Sequence, residues 1–166
     1  MNTSKLLAGL CLGFLGLVTV SPAGFAQSAP VAASGAADPS VTQPISALYA
    51  GLTETEHSHG AFAQRAQALG PVVDKVFNLP MILQNSIGLR YRTLPEDQKQ
   101  QLLEQFRQFT VARYVSNFTP GGTATFTVAP AVTASPIPGD QIVHTQIIAS
   151  GAATDINYVM RSGPAG

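Results

Sequence analysis

Apolar residues recur at helical spacing through residues 42–118. The first predicted helix begins at Thr42, whose side chain can cap it, and the polar stretch 53–60 is expected to interrupt it. A second helix is predicted over residues 58–77. Three- and four-residue spacing therefore assigns this part of the chain to helices.

Two further helices carry terminal signals. Asn78 is expected to cap a short helix over residues 79–87. Thr93 and Glu96 form a predicted capping box that opens a long helix. We expect that helix to end before Gly121 and to present one apolar face. This face consists of Leu102, Phe106, Phe109, Ala112, Val115 and Phe118.

The C-terminal part changes to a period of two, which is typical of strands. Alternating apolar residues predict strands over residues 124–128, 141–150 and 154–161. The segment 151–153 is expected to join the last two strands as a hairpin. Helices followed by strands predict an α+β fold with an antiparallel sheet.

The N-terminal segment has a different composition from the rest of the chain. Residues 6–20 are apolar and uncharged, follow Lys5 and precede small residues before a cut after Ala26, as in a secretory signal peptide. A membrane-spanning helix needs about 20 apolar residues, more than this run offers. The next segment is rich in Ala, Ser, Pro and Gly, which is typical of a flexible linker. The expected organisation is a signal peptide over 1–26, a linker over 27–41 and one α+β domain over 42–166.

Composition excludes several functional classes. The 9 Lys and Arg residues balance the 9 Asp and Glu residues, so the basic excess of a nucleic-acid-binding protein is missing and no nucleic-acid partner is expected. The chain has one Cys and no Trp, which excludes a disulfide scaffold and a Cys-rich zinc module. Hydrophobic residues make up 45% of the chain, enough to form one core.

The polar residues show no catalytic constellation. His57 and His59, with Glu54 and Glu56, could ligate a metal, but we interpret them as a solvated loop because a site needs converging groups. His144 stands alone in a strand, and the G-x-S-x-G motif does not occur. We therefore predict no metal, no cofactor and no catalytic residue. The Phe residues could fill a core or line an apolar cavity, and composition does not separate the two.

A series of short motifs resembles a known family. In chain order they are Val73-x-x-x-Phe77-Asn78-Leu79-Pro80-x-Ile82, Ser86-x-Gly88, Leu94-x-x-x-Gln98, Leu103 with Phe106, Tyr114 and Phe118. Together they resemble the toluene-tolerance family of periplasmic phospholipid-binding proteins, the MlaC-like group. The segments 77–83 and 109–118 look closest to its hopanoid-associated HpnM branch. The resemblance covers about residues 44–161, which is nearly all of the domain.

The resemblance implies a carrier in the Gram-negative periplasm. Such a protein moves a phospholipid, or a hopanoid in the HpnM branch, between an inner-membrane ABC transporter complex and an outer-membrane lipoprotein complex. The lipid would lie in an apolar cavity between the helices and a curved sheet. By period, the inward positions of these elements are Val73, Phe77, Ile82, Leu83, Phe106, Phe109, Tyr114, Val143, Ile147, Ile156 and Tyr158, and we expect them to line the cavity.

Two expectations remain open beside this one. A small isomerase or hydrolase on a related α+β cone fold would need a buried acid or base. Asp155, the one acid within residues 141–161, is expected on the polar face of its strand, which disfavours the enzyme. The family continues beyond the strand of Tyr158 with further strands and helices, so the chain is also expected to be C-terminally truncated.

Overall fold

A computed structural model of the protein describes residues 39–161, in which helices precede a sheet. The helices are α1 (Pro39–His57), α2 (Phe62–Val76), α3 (Leu79–Ile87), α4 (Leu89–Thr93) and α5 (Glu96–Asn117). The strands are β1 (Thr125–Ala134), β2 (Asp140–Ala149) and β3 (Ala152–Arg161), and they pair antiparallel in the order β1-β2-β3. The predicted α+β class is confirmed. The predicted signal peptide and most of the predicted linker lie outside the described residues.

Helix α1 is longer than predicted at both ends. It begins at Pro39 rather than at Thr42, so the last residues assigned to the linker are helical. It also continues to His57, through more than half of the stretch 53–60 that was expected to interrupt it. Thr53 and Thr55 donate their hydroxyl protons to carbonyls one turn earlier, at 3.0 and 2.8 Å. Polar composition was misleading here because these side chains satisfy their hydrogen bonds within the helix.

The region between α3 and α5 combines a confirmed and a wrong prediction. Helix α3 has the predicted bounds, and the Asn78 side chain accepts a hydrogen bond from the Met81 amide at 3.1 Å. The predicted capping box is wrong, because Thr93 belongs to the additional helix α4 and donates to the Arg90 carbonyl at 2.9 Å. Helix α5 begins after Pro95 without a side-chain cap.

The buried face of α5 differs from the predicted one. Val111, Val115 and Phe118 are buried, whereas Phe109 is 62% exposed. Since a helix turns about 100° per residue, Phe109 lies on the side opposite to Val111. Apolar residues lie on two sides of this helix. The side that includes Val115 packs against α2 and is buried.

Two arginines fix α5 against α2. Arg65 is 8% exposed and donates to the carbonyls of Val115 and Phe118, at 3.2 and 3.3 Å, at the C-terminal end of α5. Carbonyls there have no partner within the helix, so a buried cation is favourable at this position. Arg107 forms a bidentate pair with Asp74, at 2.6 and 2.7 Å. The orientation of α5 is thereby set at both of these points.

The sheet confirms the predicted strands and extends the first. Strand β1 contains a bulge, since Val128 pairs with Thr145 but Val132 pairs with Val143. Pro130 lies within the bulge and has no amide proton for the ladder, which explains the break in register.

The predicted β2–β3 hairpin is confirmed, and its turn lies one residue earlier than expected. The chain reverses at Ser150-Gly151, where φ is +51° and +77°. Two positive φ angles are typical of the tight turns that join twisted antiparallel strands.

The core lies between the helices and one face of the sheet. The opposite face is polar, and there the Gln146 side chain donates to the Asp155 carboxylate at 2.9 Å, so Asp155 lies on the predicted side. The most deeply buried side chains are Ile45, Leu48 and Leu52 of α1, Leu69 and Val73 of α2, Val115 of α5 and Val143 of β2.

Candidate functional site

An apolar cleft lies between α1, the junction of α2 and α3, and strand β3. Its volume is about 450 Å³, which falls within the roughly 300–1,000 Å³ of small-molecule pockets. Since β3 is an edge strand of the described sheet, the cleft follows that edge. The lining residues are Ile45, Val76, Phe77, Asn78, Met81, Ile82, Asn157, Tyr158, Val159, Met160 and Arg161.

The junction of α2 and α3 places Phe77 in the wall of the cleft. Phe77 is extended, with φ −104° and ψ +132°, and its amide donates to the Val73 carbonyl at 3.0 Å. Asn78 then caps α3, whose first turn contains Pro80. Pro80 has no amide proton to continue α2 by bonding one turn back, whereas the first turn of a new helix needs none. The motif Phe77-Asn78-Leu79-Pro80 therefore separates two helices and presents an aromatic ring to the cleft.

Six aromatic side chains form a closed circuit that shares Phe77 and Tyr158 with the cleft. Neighbouring ring centroids are 4.6–6.5 Å apart, the usual spacing of interacting aromatic pairs. The circuit connects α1, α5 and the α2–α3 junction with β1 and β3, so it joins the helices to the sheet. In order, its members are Tyr49, Phe126, Phe118, Tyr114, Phe77 and Tyr158.

Three phenol groups meet within this circuit. The Tyr49 hydroxyl lies 2.6 Å from Thr145 Oγ1 and 3.5 Å from the Tyr158 hydroxyl. Burial raises the pKa of Tyr158 far above its usual value, and its hydrogen bond with Tyr49 adds to the increase. Burial likewise raises the pKa of Tyr114. Tyr114 and Tyr158 therefore stay protonated at neutral pH and can act as hydrogen-bond donors.

One end of the cleft is polar. There Arg161 donates two hydrogen bonds to the Asp140 carboxylate, both at 2.8 Å, and a third, at 3.5 Å, to the Met81 sulfur. The hydrogen bonds from Arg161 hold the pKa of Asp140 below its usual value. The side chains of Asn78 and Asn157 also line the cleft. The cleft is thus amphipathic, with apolar walls and a guanidinium group at one end.

The structure distributes the predicted lining residues over several environments. Phe77, Ile82 and Tyr158 line the cleft. The others are buried in the core or half-buried, except Phe109, which faces away from the core. Buried are Val73, Leu83 and Val143; half-buried are Phe106, Tyr114, Ile147 and Ile156.

Several lining residues were missed by sequence reasoning. Met160 shares a strand face with Tyr158, so the period of two was a usable signal for it. Ile45 was placed on the correct helix, but its side chain reaches both the core and the cleft. No sequence pattern indicated that Arg161 would line the cleft, because its pairing with Asp140 depends on the register of β2 and β3.

The residues considered as possible metal ligands lie in different environments. Glu56 is 5% exposed, and its carboxylate accepts a hydrogen bond from the Ala124 amide at 3.1 Å. His57 and His59 are exposed. Within residues 39–161, no three His, Cys, Asp or Glu side chains converge as a possible metal site. No helix in this part of the chain is long and apolar enough to cross a bilayer.

Comparison with known proteins identifies the family. The family model of the MlaC protein matches residues 43–166, most of the chain. A solved structure of a phospholipid-binding protein from Ralstonia solanacearum, in complex with a phospholipid, shows the same fold. Its TM-score is 0.58 at 17% sequence identity, over 76% of this chain and 73% of that chain. A search of curated proteins found no match. The chain belongs to the MlaC family.

Proposed function

We propose that this protein binds a phospholipid in the cleft beside β3 and carries it through the periplasm. The observation that carries the proposal is the amphipathic cleft of about 450 Å³, found in a member of the MlaC family. The phospholipid complex of the Ralstonia solanacearum protein, which has the same fold, supports the choice of ligand.

The apolar walls suit an acyl chain. Each CH₂ group that leaves water contributes about 0.8 kcal/mol, so burying a chain supplies affinity without any catalytic group. Ile82 and Val159 are 39% and 58% exposed on the cleft lining, where a bound chain would cover them. At the polar end, Arg161 is in place to lie near a phosphate group.

Binding is favoured over catalysis by the composition of the cleft. Its lining contains no Asp, Glu, His or Lys side chain, so it offers no general acid or base of ordinary type. Tyr158 lines the cleft, but its raised pKa makes it a poor base at neutral pH. This supports a binding protein over the alternative of a small isomerase or hydrolase.

The transport context is proposed from the family. As a carrier, the protein would receive or deliver lipid at an inner-membrane ABC transporter complex and at an outer-membrane lipoprotein complex. The resemblance of residues 77–83 and 109–118 to the HpnM branch supports a hopanoid as the alternative cargo. Phe77 and Tyr158 offer aromatic surfaces to either ligand.

The test compares a charge inside the cleft with a charge outside it. Ile82→Asp places a carboxylate on the lining, and Phe109→Asp places one on the outer side of α5. Both positions are partly exposed, so both variants are expected to fold. Titration with phosphatidylglycerol should show weaker binding for Ile82→Asp only, because a charge is costly beside an acyl chain. Equal affinities of the two variants would contradict this site.

A further inference from the structure

Both methionines of the described part of the chain line the same cleft. Met81 lies in the first turn of α3 and Met160 lies near the end of β3, and each side chain is half-buried. Oxidation converts the apolar thioether of a methionine into a polar sulfoxide. Residues 39–161 contain no cysteine and no further methionine, so oxidation at sulfur within this range is confined to the cleft.

The two sulfur atoms have different surroundings. Arg161 holds the Asp140 carboxylate with Nε and Nη2, both at 2.8 Å, and its remaining nitrogen, Nη1, lies 3.5 Å from Met81 Sδ. Within residues 39–161, Nη1 has no other hydrogen-bond acceptor. Met160 instead packs against the apolar core. A fixed cationic N–H donor therefore lies beside one methionine of the cleft and not beside the other.

This arrangement suits a sulfoxide better than a thioether. A thioether sulfur is a weak hydrogen-bond acceptor, so the present contact between Arg161 and Met81 is weak. A sulfoxide oxygen is a stronger acceptor, and hydrogen bonds from a charged donor are about twice as strong as those between neutral groups. The methionine side chain is flexible enough to turn such an oxygen towards Nη1. Asp140 meanwhile keeps the guanidinium group in place.

We infer that Met81 is an oxidation site for hydrogen peroxide, and that Arg161 directs the reaction to this methionine and holds the sulfoxide that forms. The sulfur attacks one peroxide oxygen, and the S–O bond forms as the O–O bond breaks. Sulfur thereby loses two electrons and the peroxide is reduced. The proton of the transferred oxygen passes to the leaving hydroxide, which departs as water. Nη1 is placed to stabilise the negative charge that develops on this hydroxide.

Oxidation of Met81 should also weaken lipid binding. The sulfoxide would lie on a wall of the cleft that an acyl chain covers, and covering a polar group with an apolar chain is costly. We expect the affinity for phospholipid to fall at least about fivefold. This consequence rests on the proposed function, whereas the oxidation site itself does not.

The first measurement follows the oxidation of each methionine. The full exported chain is treated with hydrogen peroxide, and mass spectrometry of its peptides records which methionine gains an oxygen atom. Met81 should react about three- to tenfold faster than Met160, because one charge-assisted hydrogen bond favours its reaction. Arg161→Lys keeps a cation for Asp140 but lacks Nη1, and should bring the rate of Met81 close to that of Met160.

The configuration of the sulfoxide provides a test that needs no variant. Methionine sulfoxide reductases A and B each reduce one of the two epimers. A donor on one side of the sulfur should make one epimer predominate at Met81 in the folded protein, whereas protein oxidised in urea should contain both in similar amounts. Similar amounts in the folded protein, or oxidation of Met81 no faster than that of Met160, would overturn the inference.

Titration with phosphatidylglycerol tests the consequence for binding. Oxidised wild type and oxidised Met160→Leu should both bind more weakly than before treatment, and reduction by both reductases should restore their affinity. Met81→Leu, which has no sulfur to oxidise at this position, should keep its affinity. Unchanged binding by the oxidised wild type would contradict the effect on the cleft. Failure of the untreated wild type to bind would contradict the proposed function and leave the oxidation site intact.

Discussion

The carboxylate of Glu56, near the end of α1, accepts a hydrogen bond from the backbone amide of Ala124, which precedes β1. The carbonyl of Glu56 accepts a second one from the Gly121 amide at 2.9 Å. One residue of the first helix thus holds the connection between α5 and the sheet. Because Tyr114 of α5 and Phe118, directly after it, belong to the aromatic circuit, this contact helps to set the position of the cleft wall.

Removal of the Glu56 side chain should destabilise the fold. Glu56→Ala leaves the Ala124 amide without its charged acceptor, and hydrogen bonds to charged groups contribute about 1.5–3 kcal/mol. We expect a loss of that order in the free energy of unfolding, measured in urea. Glu54→Ala, two residues away and exposed, is the matched control and should change stability by less than about 0.5 kcal/mol. A similar loss in both variants would show that the hydrogen bond is not the cause.

Gly122 should not tolerate a side chain while Glu56 is present. A Cβ atom at this position would overlap the Glu56 carboxylate. Gly122→Ala alone should therefore cost about 1–3 kcal/mol, the usual range for overpacking. The double variant Glu56→Ala/Gly122→Ala should be less destabilised than the sum of the single variants, because the clash disappears. Strict additivity in urea unfolding would contradict this geometry.

Truncation of two phenylalanines on α5 and at its C-terminal end tests the corrected face of this helix. Phe118 is 8% exposed and stacks with Tyr114, whereas Phe109 is 62% exposed. Phe118→Ala should cost about 3–5 kcal/mol through the cavity that it leaves. Phe109→Ala should have little effect, although the apolar pattern of the sequence gave both residues the same role. Circular dichroism during thermal unfolding compares the two variants. A larger loss of stability for Phe109→Ala than for Phe118→Ala would support the face that was predicted from the sequence.

The Asp140–Arg161 pair should make stability depend on pH in the acid range. Hydrogen bonds from Arg161 lower the pKa of Asp140 in the folded state, while an unfolded Asp titrates near about 3.9. The stabilisation is therefore complete above that value and is lost as the pH falls through the lower folded pKa.

The variant Asp140→Asn isolates this effect. It should be less stable than wild type at neutral pH, and the difference should shrink as the pH falls below about 4. Urea midpoints of both proteins across this range provide the measurement. A difference that stays constant with pH would mean that the charge of Asp140 has no part in it.

Local signals in the sequence predicted the elements that depend on them. The side chain of Asn78 and the proline at position 80 sufficed for α3, and the β2–β3 hairpin followed from its alternation and turn residues. Prediction failed where tertiary contacts decide the outcome. Glu56 lies in a polar stretch, yet it is buried because its partner is 68 residues away.

The same division between local signals and tertiary contacts holds for the candidate site. Phe77, Ile82 and Tyr158 were expected as lining residues and are found in the cleft. Phe109 was assigned with them because helical period does not say which of two apolar stripes meets the neighbouring helix. The position of Arg161 depends on strand register and on α3, so no local pattern could have indicated it.

The most direct test of the account is to identify the lipid that the protein carries. The exported protein, expressed with its own N-terminal segment in a Gram-negative host that makes both phospholipids and hopanoids, would be purified from the periplasm without detergent and analysed by native mass spectrometry. The account predicts one bound phospholipid per chain, released on unfolding and reduced in Ile82→Asp but not in Phe109→Asp. A folded protein that carries no lipid, or carries it equally in both variants, would contradict it.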